Sequence, residues 1–155
     1  MMKLYYQDAE KYLYKIHEKA LIEVPFECGL KPEQIIANDF IQLECIDSET
    51  VLLTAKKGYS WDGASGAINT ESWIVASLVH DCLYQLMREE LLDRSLRKQA
   101  DLAMNYFLKK SMIRGNYLSR QAGAVRAKYS YLGVRAAGEK HTYPRKIKIK
   151  KVRIY

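Results

Sequence analysis

The chain has 155 residues, 48% hydrophobic and 28% charged, and is long enough to bury a core without staples as a single domain, 1–155. No apolar run approaches the roughly 20 residues of a membrane span, and the three cysteines, Cys28, Cys45 and Cys82, lack any Cys-x-x-Cys spacing, so they read as reduced thiols. The net charge of +7 is unevenly divided: residues 1–101 carry 11 Lys/Arg against 17 Asp/Glu, and residues 102–155 carry 14 against one, Glu139.

In chain order, Met1–Glu10 has no signal-peptide layout. Asp8 to His17 sets Tyr12, Leu13 and Ile16 at helical spacing, with a strand after Lys19 (Ala-Leu-Ile-Glu-Val) as the alternative. Phe40–Ile46 and Thr50–Ala55 have strand-like content around the turn-forming Asp47-Ser-Glu, which predicts a β-hairpin. Gly58-Tyr-Ser-Trp-Asp-Gly-Ala-Ser-Gly66 then interrupts regular structure. A first helix is expected from about Glu71 to Glu90, capped by Thr70 or Ser72, and a second from the N-cap Asp93 to a point before Gly115. A third, from about Tyr117 to Arg135, interleaves small and basic residues. The tail Arg145–Tyr155 alternates basic and β-branched residues, as either a lysine-guarded edge strand or a disordered arm. The fold class is therefore α+β. A β-rich part (1–66) packs on a layer of about three helices (70–138), followed by a basic tail (139–155).

The chemistry concentrates in Ser72-Trp-Ile-Val-Ala-Ser-Leu-Val-His-Asp-Cys-Leu-Tyr84. An imidazole and a carboxylate in so apolar a stretch are costly unless partnered. Tyr84 lies one helical turn beyond His80, and Asp81 is rotated about 100° from it towards another neighbour. Asp101 falls on an apolar strip with Ala100, Met104 and Leu108, so an antiparallel second helix would bring it to His80. There it would fix the imidazole tautomer and leave one nitrogen as a base, with Tyr84 donating to the same carboxylate. Asp62 and the free carbonyls of the glycine-rich loop are the oxygen donors that a hard cation such as Ca²⁺ takes. His80, Asp81, Tyr84 and Asp101 could also be a buried structural cluster, the second reading after a site. Cys82, two residues past His80, faces elsewhere and reads as packing.

Gly58–Gly66, Val79-His-Asp-Cys-Leu-Tyr84 and Ala100-Asp101 together resemble a phage and bacterial family, domain of unknown function 1353. That family has an Asp-Gly-Ala-Ser loop, a His-Asp-x-Leu-Tyr helix and a later Ala-Asp. The His-Asp-x-x-Tyr helix also resembles that of the secreted phospholipase A2 family, although the loop, with Trp61 and Ser65, differs from that family's calcium loop. This second resemblance implies that His80 activates water, Asp101 orients it, and Tyr84 braces Asp101. It also implies that Asp81, Asp62 and the Gly63 carbonyl hold Ca²⁺, which would polarise an ester carbonyl.

Other classes fit poorly. Zn²⁺ at His80, Asp81 and Asp101 ranks behind Ca²⁺. A His-Asp phosphohydrolase needs more histidines than His17 and His141 add, and neither a phosphate-binding loop with Lys-Ser/Thr nor a Gly-x-Ser-x-Gly elbow is present. The expected function is a metal-assisted ester hydrolase. The alternative is a non-catalytic phage accessory, virion or tail-associated protein that binds an acidic partner through its basic half: nucleic acid, an acidic protein face or a membrane surface. The expected location is the host cytoplasm or the virion.

Overall fold

Period-two burial carries the first half of the chain into β-structure. The structure, a computed structural model, describes residues 6–7, 14–63, 71–110 and 117–144. Seven strands occur among them: β1 (Tyr6–Gln7), β2 (Tyr14–Ile16), β3 (Ala20–Pro25), β4 (Ile35–Ala37), β5 (Ile41–Cys45), β6 (Thr50–Ala55) and β7 (Ser60–Trp61). They form two antiparallel sheets, β1-β2-β7 and β3-β6-β5-β4. In β3, Ala20, Ile22 and Val24 are buried while Leu21, Glu23 and Pro25 face out. That alternation gives the larger sheet one apolar face.

The expected hairpin is β5–β6, in register from Ile41↔Ala55 to Cys45↔Val51. Its turn closes by Ile46 N–H donating to the Thr50 carbonyl at 3.0 Å, and Asp47 Oδ1 accepts from Glu49 N–H at 2.8 Å. The helical alternative for Asp8–His17 gives way to β2 over residues 14–16; residues 8–13 lie outside the described part. Tyr14 and Ile16 alternate inward, and Tyr14 pairs with Trp61 of β7, their rings 5.2 Å apart. A strand that buries two large side chains against another strand outweighs the helical spacing of the same residues.

Three helices follow: α1 (Glu71–Arg88), α2 (Arg97–Lys110) and α3 (Tyr117–Ala137). Helix α1 stops short of Glu90 because that residue takes a left-handed φ of 58°. Asp93 is an N-cap, its carboxylate accepting from Ser95 N–H at 2.7 Å, but it opens a 3₁₀ turn, Arg94–Leu96, ahead of α2. A further 3₁₀ turn, Glu139–Thr142, follows α3. The caps proposed at Thr70 and the Ser72 side chain, the loop residues 64–66 and the tail 145–155 lie outside the described part.

Helix α1 packs on α2 and α2 on α3. Leu78, Val79, Leu83, Leu86 and Met87 of α1 join Ile22, Val24, Ile41, Leu43 and Leu53 of the sheet in one buried cluster. Each such side chain contributes about 1.5–3 kcal/mol. Trp61 Nε1 donates to Ser77 Oγ at 3.1 Å, which pins β7, and with it the start of the glycine-rich loop, to α1 one turn before Asp81.

Candidate functional site

Helix α1 must turn its apolar side into the core, and His80 and Tyr84 go with it. His80 is 8% exposed and Tyr84 is buried, with ring centroids 4.0 Å apart. Helix α2 carries Asp101, fully buried, to the same place. His80 Nε2 lies 3.0 Å from Asp101 Oδ1, and the Tyr84 hydroxyl donates to that oxygen at 2.7 Å. The three residues expected to meet do so.

Two arginines complete the network. Arg135, near the end of α3, donates from Nη1 to Asp101 Oδ2 at 3.0 Å. Arg97, one turn before Asp101, places Nε 3.9 Å from Oδ2 and 3.3 Å from the Tyr84 hydroxyl, to which it donates. Its Nη2 donates to the carbonyls of Val134 and Arg135, and its Nη1 stands 3.8 Å from Glu139. Gly138 closes over the cluster: a Cβ there would stand 2.5 Å from the Tyr84 hydroxyl. The i,i+4 spacing of Arg97 and Asp101 was readable in the sequence. Arg135 is 34 residues from Asp101 and left no local signal.

Asp81 does not turn away from His80. Its Oδ1 lies 3.6 Å from His80 Nδ1, and its side chain is partly exposed rather than buried. The imidazole therefore has one nitrogen on a buried carboxylate and the other beside a carboxylate at the surface. Asp62 is exposed at the end of β7, and Gly63 next to it has a φ of 70°. Among the described residues, no three His, Cys, Asp or Glu side chains group as metal ligands. Cys82 is wholly buried, and burial pushes its thiol far up, as suits packing. His17 and His141 are exposed.

The electrostatics follow from these contacts. Burial opposes the charged form of His80, but hydrogen bonds and charge from Asp101 and Asp81 prevail, so it titrates above its ordinary value. Burial also opposes ionisation of Asp101, and donors from His80, Tyr84 and Arg135 outweigh it, lowering its pKa. Tyr84, desolvated and donating to Asp101, is pushed well up and stays a phenol. With Asp101 an acceptor, His80 carries its proton on Nε2, and Nδ1 becomes basic when the ring is neutral.

Comparison with known families, with curated proteins and with solved structures finds no match to this chain, so the resemblances rest on the residues that carry them. Among the described residues no helix is long and apolar enough to cross a membrane.

Proposed function

We propose that this chain is an ester hydrolase in which His80 is the general base. The observation that carries the proposal is the orientation of the ring, with Nε2 on the buried Asp101 and Nδ1 on the side of the partly exposed Asp81. A water bound at Nδ1 would lose its proton to the imidazole as it attacks a carbonyl, while Asp101 stabilises the imidazolium that forms. Tyr84, Arg97 and Arg135 hold Asp101 in place and touch no substrate. The His-Asp-x-x-Tyr resemblance to phospholipase A2 supports an ester of a lipid or similar acyl donor as the substrate class.

Ca²⁺ at Asp81, Asp62 and the Gly63 carbonyl is a separable part of the proposal, with Zn²⁺ second. Those donors are hard oxygens, but they supply only about half of the six to eight that Ca²⁺ takes, and no step is assigned to the ion. When bound it would polarise the ester carbonyl, and by neutralising Asp81 it would bring the His80 pKa down.

The test is hydrolysis of a short-chain nitrophenyl ester and of phosphatidylglycerol vesicles by the wild type and by His80→Gln. Activity should rise as pH passes the raised His80 value and fall by about 10²-fold or more in the variant. Equal rates in both proteins would overturn it. Calorimetric titration of Ca²⁺ and then Zn²⁺, with Asp81→Asn as control, tests the metal separately.

One observation favours the alternative, a non-catalytic phage accessory or virion component that binds an acidic partner. Both oxygens of Asp101 are engaged, by groups from α1 and α3, which also describes a structural brace. Under that reading His80→Gln alters stability and no catalytic rate exists to lose.

A further inference from the structure

Among the described residues of helix α3, Ala127 is buried in the core and Val134 packs against it. Val125, Tyr129, Leu132 and Ala136 fall at i, i+4, i+7 and i+11, on the side directly opposite that contact. All four are exposed, Tyr129 by 71%. Large apolar side chains in a row on the outside of a helix are a surface awaiting a partner. Lys128 flanks the row on one side and Arg126 on the other, and α3 contains no acidic residue. The row runs into an open groove of about 520 Å³ lined by Ala136, Ala137, Glu139, Lys140 and Tyr143, and the Arg94 guanidinium lies 4.6 Å from the Tyr143 ring centre.

We propose that this face of α3 docks on an anionic lipid surface. An apolar and aromatic row between cations matches acyl chains below and phosphates beside them, with the tyrosine ring at headgroup depth. A second copy of the chain would bring the same cations against each other. Nucleic acid offers nothing to Val125 and Leu132. The 14 cations against one acid over residues 102–155 suit an extended anionic surface better than one discrete acidic site. Docking does not depend on the His80 proposal and is read without any measurement of hydrolysis.

The experiment is co-sedimentation of the full chain with phosphatidylcholine vesicles, with and without about one third phosphatidylglycerol. Partition should be about tenfold stronger on the anionic vesicles and should weaken as salt rises from about 50 to about 500 mM. Val125→Ser/Tyr129→Ser/Leu132→Ser should lose about tenfold in partition with an unchanged circular dichroism spectrum and melt, since apolar burial supplies part of the binding. In Tyr129→Trp the new indole should shift its emission to the blue on vesicle binding, against a constant background from the buried Trp61 and Trp73. The proposal is overturned by equal binding to neutral vesicles, by full binding of the triple serine variant, or by an indole emission that vesicles leave unchanged. It is likewise overturned if the chain does not sediment with vesicles and the triple variant instead dissolves a dimer seen by sedimentation velocity.

Discussion

Asp101 is fully buried, and it is tolerable there because His80, Tyr84 and Arg135 all donate to it. The histidine alone would make its loss a matter of one stranded imidazole. Arg135 adds a guanidinium that loses its counter-charge. Asp101→Asn should therefore cost about 3–5 kcal/mol, the range for breaking a buried ion pair, measured by urea denaturation. The same substitution removes the Asp101 carboxylate hydrogen bond, the largest single cause that raises the His80 pKa, so the His80 titration followed by NMR should move down. An unchanged midpoint would mean that Asp81 alone sets it. Gly138 is constrained by proximity rather than by backbone angle, since a methyl group there would press on the Val134 carbonyl oxygen and on the Tyr84 hydroxyl. Gly138→Ala should cost about 1–3 kcal/mol by overpacking, and a melting temperature equal to wild type would show that the 3₁₀ turn gives way freely.

Arg97 works between elements. From α2 it caps the last turn of α3 through the carbonyls of Arg135 and of Val134, the latter also accepting from Gly138 N–H at 2.8 Å. Arg97→Met keeps much of the buried stem and removes the donors, so amides from Arg135 to Thr142 should exchange about tenfold faster, a loss of about 1–2 kcal/mol at that end. Uniformly faster exchange across α3 would instead point to loss of the whole α2–α3 contact. At this scale the sequence was legible wherever a signal was local. The β5–β6 hairpin stood out because alternating residues flank Asp47-Ser-Glu, and His80, Tyr84 and Asp101 because helical spacing places them. Strand β7 was hidden, since two residues inside a glycine-rich segment carry no period. Asp93 was recognised as a cap, but nothing in its neighbours separated a 3₁₀ turn from the start of α2. The approach of Arg135 and Gly138 to the site comes from how α3 docks, which no neighbouring residue encodes.

For the whole molecule the network ties folding to pH, and the two titrations act in opposite directions. Asp101 is lowered from the ordinary 3.8, so its contribution is complete above that value and is lost as pH falls through the lowered one. His80 is raised from the ordinary 6.5, so its contribution is complete below that value and is lost as pH rises through the raised one. Both are complete between 3.8 and 6.5, and within this window the network stabilises the fold most. The melting-temperature difference between wild type and His80→Gln should then be largest on the acid side of 6.5 and shrink as pH rises past neutral. A difference that stays flat across that range would mean the His80 proton is bound equally in the folded and unfolded chain. The proton whose loss weakens the fold is also the one whose loss frees Nδ1 to act as a base. If His80 is catalytic, hydrolysis should therefore climb over the same pH interval in which this part of the stability declines. Melting curves and rates measured on one protein sample across that interval would show whether one titration governs both.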